Sequence, residues 1–217
     1  MTYQEFYNSS MADPTAFWKA QADAIDWFEK PSDISFKDEN SLYRWYKGGK
    51  LNTSHLALDY HVANGRGDQP AIFYDSPVTD TKETITYAQL LDRVAKFAGV
   101  LKAQGVEKGD TVIIYMPMIP QTVVAMLACA RLGAIHSVVF GGFAAHELAI
   151  RINDARPKLI LTASAGKEIN RVIDYMKIVN PALDEAEHQV QGVIVYQRDI
   201  MEAPLQEGRD FDWDALL

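Results

Sequence analysis

From Thr111 to Gln197 the chain repeats one pattern: a short continuous apolar run, then a longer stretch with apolar residues at helical spacing. TVIIYM, bounded by Gly109-Asp110 and Pro117, has the length and composition of a strand buried on both faces. Pro120 fits the first turn of a helix that runs through Val123, Val124, Met126, Leu127 and Ala130 and stops at Gly133. AIHSVVF reads as another buried strand, AAHELAIRIND as a helix, PKLILTA as a strand, INRVIDYMKIVNPALDEA as a helix and VQGVIVYQ as a strand. Parallel neighbours need a crossover, and the crossover is usually a helix. The fold class expected is therefore α/β, a mostly parallel sheet with helices on both faces.

The chain ahead of this block differs in character. PAIFYD and ETITY read as antiparallel partners across the polar loop SPVTDTK. Thr86 then caps a helix in which Tyr87, Leu90, Leu91, Val94, Phe97, Ala98 and Leu101 share one face, ending at Gly105. Residues 1–65 are aromatic-rich, with a helix expected near Pro14 to Ala24 and irregular chain holding Trp27, Trp45, Tyr46 and Gly48-Gly49. Such side chains are costly to leave in water, so this segment is expected to pack on the α/β part, residues 66–217. The final stretch MEAPLQEGRDFDWDALL returns to loop chemistry, and its Phe211 and Trp213 need a surface to pack on.

Composition excludes several classes of function. A net charge of -8 across 217 residues argues against nucleic-acid binding, which needs a positive face. The opening residues lack a basic and apolar leader, and no run approaches the ~18 apolar residues of a membrane span, so no membrane partner and a cytoplasmic setting are expected. Cys129, the single cysteine, lies in the apolar run AMLACARLGA and reads as a packed core residue. His55 and His61 have no cysteine nearby and read as structural, so no metal site is assigned. No nucleophile–base pair or Walker loop is present, and no catalytic residue is assigned.

Ligands of open parallel sheets collect at the carboxyl ends of strands. There, Phe140-Gly141-Gly142-Phe143 follows AIHSVV and leads into a helix. Paired glycines permit close backbone approach, and flanking aromatics could stack on a base. The same residues also fit a plain strand-to-helix turn between packed phenylalanines. One strand further on, Lys167 and Arg171 stand where a helix is expected to begin and could meet an anionic group such as a phosphate. Either could equally pair with Glu168 on a solvated turn.

Several stretches together resemble the acetyl-CoA and propionyl-CoA synthetase branch of the adenylate-forming superfamily. They are DPTAFW with IDW, RWYKGGKLNTSHLALDYH, the block from Gly105 to Ala163, and DFDWDALL. DQPAIFYDSPVTDTKETITY, FAAHELAIRINDARPKLI and the Tyr3 to Phe6 opening are closer to propionate-CoA than to acetate-CoA ligases. The resemblance implies an AMP-forming ligase: ATP with Mg2+ converts a short-chain carboxylate to an acyl-adenylate, and the CoA thiol then displaces AMP. It also implies that the phosphate loop, the ribose-binding aspartate and the adenylation lysine lie in a remainder of the chain beyond these residues, so that 1–217 alone is inactive. Within these residues it implies CoA contacts at Phe140, Gly141 and Gly142, and at Arg171, the second arginine of an R-x-G-R loop. Glu168 and Asn170 replace the first arginine and the glycine of that loop, and Tyr60 stands where an arginine is common. The alternative is a stand-alone, non-catalytic α/β module that binds a nucleotide, CoA or a partner protein.

Overall fold

The computed structural model describes residues 1–217 and divides into two compact units, Met1–Asn52 and Thr53–Leu217. The first unit opens with α1 (Tyr3–Ala12), which the sequence did not announce; YQEFYNSSMA is poor in strong helix formers. Its start is fixed by a capping box, the Thr2 hydroxyl accepting from Glu5 N–H and the Glu5 carboxylate from Thr2 N–H. In α2 (Pro14–Asp23) the proline occupies the first turn, and Asp13 accepts from Ala16 N–H. A hairpin of β1 (Asp33–Lys37) and β2 (Tyr43–Lys47) completes the unit. Its aromatic rings form a chain of contacts: Phe6 on Phe17, Phe17 on Trp18, Trp18 on Trp45, Trp45 on Tyr46 and Tyr46 on Trp27.

The second unit begins with a helical segment containing the wide turns His55–Asp59 and Val62–Arg66, kinked at Gly65, where φ is +78°. Asp59 holds Arg131 through two bonds of 2.7 and 3.0 Å, and His61 lies beside Arg66 and Tyr87. The strands β3 (Pro70–Ser76) and β4 (Thr81–Thr86) pair antiparallel. Next, α3 (Tyr87–Ala103) starts from a second capping box, between Thr86 and Gln89, and buries Leu90, Val94, Phe97, Ala98 and Leu101.

The remaining elements are β5 (Thr111–Tyr115), α4 (Pro120–Leu132), β6 (Ile135–Val138), α5 (Ala145–Ala155), β7 (Leu159–Ala163), β8 (Ala165–Glu168), β9 (Arg171–Asp174), α6 (Met176–Glu185), β10 (Gly192–Tyr196) and β11 (Asp210–Asp212). Five of the strands form one sheet in the order β11-β10-β7-β5-β6, with every pairing parallel. Alternation along the strands feeds two cores. Val112, Ile114, Leu159, Leu161 and Ile194 face α3 and α4, and Cys129 is fully buried there. Ile113, Tyr115, Ile160, Val193 and Val195 face α5 and α6. No helix is long and apolar enough to cross a membrane.

Three expectations change. AIHSVVF does not form an interior strand: β6 ends the sheet, where one flank has no neighbouring strand, and Ile135 and Val138 are exposed. The helix expected from Ile169 begins only at Met176. Residues 165–174 form the antiparallel hairpin β8–β9, with Glu168 opposite Arg171 across Ile169-Asn170. Extended chain suits the β-branched Val172 and Ile173, and helix start chemistry appears first at Asp174, which accepts from Lys177 N–H. The final stretch is not merely loop: β11 extends the sheet, and Trp213 stacks on Phe97 at 3.5 Å and 12°.

Trp213 is 3% exposed, so Trp213→Ala should lower the unfolding free energy by about 3–5 kcal/mol in urea titration. Phe73→Ala, at a ring 76% exposed, should stay within about 0.5 kcal/mol. Lys158 clamps the amino-terminal edge of the sheet by donating to the Asp110 carboxylate at 2.7 Å and to Gly105 O at 2.6 Å. That bond, with a second from Glu107 N–H, holds the Asp110 carboxyl below its ordinary value. The stabilisation is therefore present above the usual carboxylate range and is lost as pH falls through the folded-state value. Asp110→Asn should lower the urea midpoint at about pH 7, and its difference from wild type should shrink as pH falls through the folded-state value of Asp110, where the ion pair is lost.

Candidate functional site

The strand order places the reversal of crossover direction at β5, between β6 on one side and β7 on the other, and α/β sheets bind ligands at the carboxyl ends beside such a reversal. The loop after β7 is knitted to the loop after β10 by Ser164, whose hydroxyl donates to Met201 O at 2.7 Å and accepts from Arg198 N–H at 2.8 Å. Arg198 donates back to Ala165 O at 3.0 Å. The loop after β6 is the turn Phe140–Phe143. It is tied to the sheet by Tyr115, whose buried hydroxyl reaches Phe143 O at 2.8 Å and Gly141 O at 3.2 Å. Burial pushes the Tyr115 hydroxyl up to about 12, so it remains a donor through the neutral range.

Phe140 is 72% exposed. Its ring folds over Gly142, where a Cβ would come 2.5 Å from Phe140 Cε1, and meets Phe143 edge-on at 5.8 Å. Phe143 carries the Arg151 guanidinium at 4.6 Å on its own ring. The turn thus combines a packed phenylalanine with one that offers open ring surface.

Arg171 does not stand at a helix amino terminus. It lies at the tip of the β8–β9 hairpin, exposed, and pairs with Glu168 at 2.7 Å, which lowers the Glu168 carboxyl. The structure nevertheless joins this hairpin to the phenylalanine turn through Tyr175, a residue that sequence spacing did not single out. A Cβ on Gly141 would lie 2.3 Å from Tyr175 Oη, and one on Gly166 would lie 2.5 Å from Tyr175 Cε2. Both glycines make room for one ring. Their role was hidden because Gly166 lies in a segment read as loop before a helix and Tyr175 in the helix itself.

Two cavities of about 520 and 300 Å³ lie elsewhere on this unit and share Glu83, Gln121 and Tyr196 in their walls. Glu83 is paired there with Arg93 at 2.7 Å.

The candidate site is thus a glycine turn with an exposed aromatic ring and a hairpin whose Arg171 is paired with Glu168. Residues 60–215 match the family described as AMP-binding enzyme, and residues 3–57 match the acetyl-coenzyme A synthetase N-terminus family. The chain belongs to the AMP-binding enzyme family. It is 53% identical over 217 residues to an uncharacterized protein of Pseudomonas aeruginosa, a match covering 100% of this chain and 35% of that protein. It is 49% identical over 213 residues to the mitochondrial acyl-CoA synthetase short-chain family member 3 of Rattus norvegicus, covering 98% of this chain and 31% of the relative. The acetoacetyl-CoA synthetase from Streptomyces lividans superposes with a TM-score of 0.87 at 28% identity, over 100% of this chain and 33% of that one. This AMP-binding family member therefore spans about a third of the length of its relatives.

Because the Tyr175 ring fills the space beside Gly166, Gly166→Ala should cost about 1–3 kcal/mol of stability through overpacking. In a Tyr175→Ala background the same substitution should cost less than about 0.5 kcal/mol, a non-additivity that a double-mutant cycle of urea midpoints measures directly.

Proposed function

We propose that the chain supplies the amino-terminal part of an AMP-forming ligase acting on a short-chain carboxylate, propionate ahead of acetate, with ATP and CoA. In the first half-reaction a carboxylate oxygen attacks the α-phosphorus of ATP and pyrophosphate leaves. In the second, the CoA sulfur attacks the acyl carbonyl, the bond to AMP breaks, and the thiol proton passes to solvent. Membership of the AMP-binding enzyme family supports the use of ATP. The preference for propionate rests on overall likeness to propionate-CoA ligases in the opening residues, the β3–β4 hairpin and the region of α5. Magnesium would neutralise the triphosphate. No group of three or more His, Cys, Asp or Glu side chains in this chain is placed to hold a metal ion, so no step here is assigned to one. A reducing, cytoplasmic setting suits the lone, buried Cys129, whose thiol is pushed up to about 12 by burial.

The observation that carries the reading is the open ring surface of Phe140, 72% exposed, on a turn whose glycines make room for the Phe140 and Tyr175 rings. The CoA adenine stacks on that ring, and Arg171 meets a CoA phosphate after exchanging its Glu168 partner. The remaining machinery for adenylation belongs to other parts of the longer protein.

In the full-length protein, Phe140→Ala should raise KM for CoA by roughly five- to a hundredfold, the equivalent of losing a base–aromatic stack of about 1–3 kcal/mol. Carboxylate-dependent ATP–pyrophosphate exchange precedes CoA entry and should hardly change. Arg171→Ala should act in the same direction and more strongly at low salt, whereas Glu168→Gln should lower KM for CoA. Equal losses of exchange and thioester formation in the Phe140 and Arg171 variants would mean that these residues are structural.

A further inference from the structure

Tyr175 stands between β9 and α6, is 4% exposed, and is held from both its ring and its backbone. Its N–H donates to Ser164 O at 3.1 Å, and its carbonyl accepts from Val179 N–H at 2.9 Å. The ring packs edge-on against Tyr115 at 5.1 Å, the residue whose hydroxyl holds the phenylalanine turn. From that fixed seat it contacts Gly141 on one side and Gly166 on the other, close enough that neither position tolerates a Cβ without movement.

The hairpin register decides what lies over this ring. Residues opposite each other in an antiparallel pair project to the same face, and alternate residues share that face. Gly166 pairs with Ile173 and Glu168 with Arg171, so Arg171 and Glu168 belong to the Gly166 face, the one on which Tyr175 packs. Lys167, opposite Val172, projects to the other face. Of the two cations on the hairpin, the one on the Tyr175 side is therefore Arg171; Arg198, which also acts on Tyr175, comes from the loop after β10.

We propose that Tyr175 is a positioning residue for the nucleotide end of CoA: its ring acts as a spacer that sets the distance between the Phe140 turn and the hairpin carrying Arg171. A stacking face and a phosphate-binding cation can engage one ligand together only at a fixed separation, and a displacement of about 1 Å can cost on the order of a hundredfold. The inference rests on the ligase reading above and adds to it a residue that need not touch CoA at all.

The test uses the full-length protein, with KM for CoA and carboxylate-dependent ATP–pyrophosphate exchange measured side by side. Tyr175→Ala removes the spacer and should raise KM for CoA about tenfold or more while exchange stays within about twofold of wild type. Tyr175→Phe keeps the ring but removes the Oη that faces Gly141, and should leave KM below that of Tyr175→Ala, a partial rescue that separates ring volume from the hydroxyl. Gly166→Ala pushes the ring from the hairpin side and should also raise KM. Should Tyr175→Ala fail to fold, Tyr175→Leu and Gly166→Ala carry the same comparison. Unchanged KM in the Tyr175 and Gly166 variants, with KM raised in Phe140→Ala, would overturn the spacer role and leave the ligase reading standing. Unchanged KM in Phe140→Ala and Arg171→Ala as well would remove the CoA site itself. Parallel loss of exchange and thioester formation in Tyr175→Ala and Tyr175→Phe would make the residue a general structural one and overturn the proposal.

Discussion

The strand β7 is buried at all five residues and hydrogen-bonded on both flanks, to β5 and to β10. A strand with no exposed face needs cover on both sides of the sheet, and parallel neighbours need crossovers; here helices supply both. That requirement sets the rest of the second unit. α4 carries the chain from β5 out to the edge at β6, and α5 brings it back past β5 to β7 on the opposite face. The reversal leaves the loops after β6 and β7 at one end of the sheet, flanking β5.

Loops at such a reversal are not automatically rigid, because loop backbone lacks the ladder bonds of the strands. Here two tyrosines supply the rigidity. Tyr115 is the last residue of β5 and reaches across the sheet end to two carbonyls of the phenylalanine turn. Tyr175 inserts its ring between that turn and the hairpin. A hydrogen bond from a buried hydroxyl contributes about 1 kcal/mol net, but its loss would leave buried groups unpaired at a cost of about 1–3 kcal/mol. The strong part of each link is thus its burial, which makes every alternative loop position worse.

How much of this was legible follows from where the information lies. Apolar periodicity, Thr86, Pro120 and Gly133 are local signals, and the elements they mark lie where the sequence placed them, with Gly133 closing α4 at φ +74°. The antiparallel β3–β4 hairpin was equally local. The failures involve distant partners. Whether AIHSVVF is central or terminal depends on strand order, which no local pattern encodes. Trp213 stacks on Phe97, more than a hundred residues earlier, just after β11 pairs with β10. The stretch from Ile169 to Met176 has helix-compatible apolar spacing, but Gly166 and Tyr175 complement each other only in the folded chain. The turn at Phe140 to Gly142 was readable as a site candidate, and the packing of Tyr175 against both Gly141 and Gly166 was not.

The pairing of Arg171 with Glu168 bears on whether the departure from the R-x-G-R pattern disables an anion site. The pair is an exposed one, with side chains 70% and 55% accessible, and ion pairs of that kind contribute little to stability. A phosphate carries up to two charges and three acceptor oxygens, and a guanidinium can meet it with two parallel bonds. On the proposed ligase reading, a CoA phosphate takes the place of the carboxylate at Arg171 while Glu168 remains nearby and repels the incoming charge. What Glu168 changes is the free state. It holds the guanidinium on the hairpin before any anion arrives, so less side-chain freedom is lost on binding, while part of the attraction is offset by the displaced carboxylate. On the ligase reading proposed above, the hairpin is an anion site attenuated by Glu168, which holds the guanidinium in place before binding.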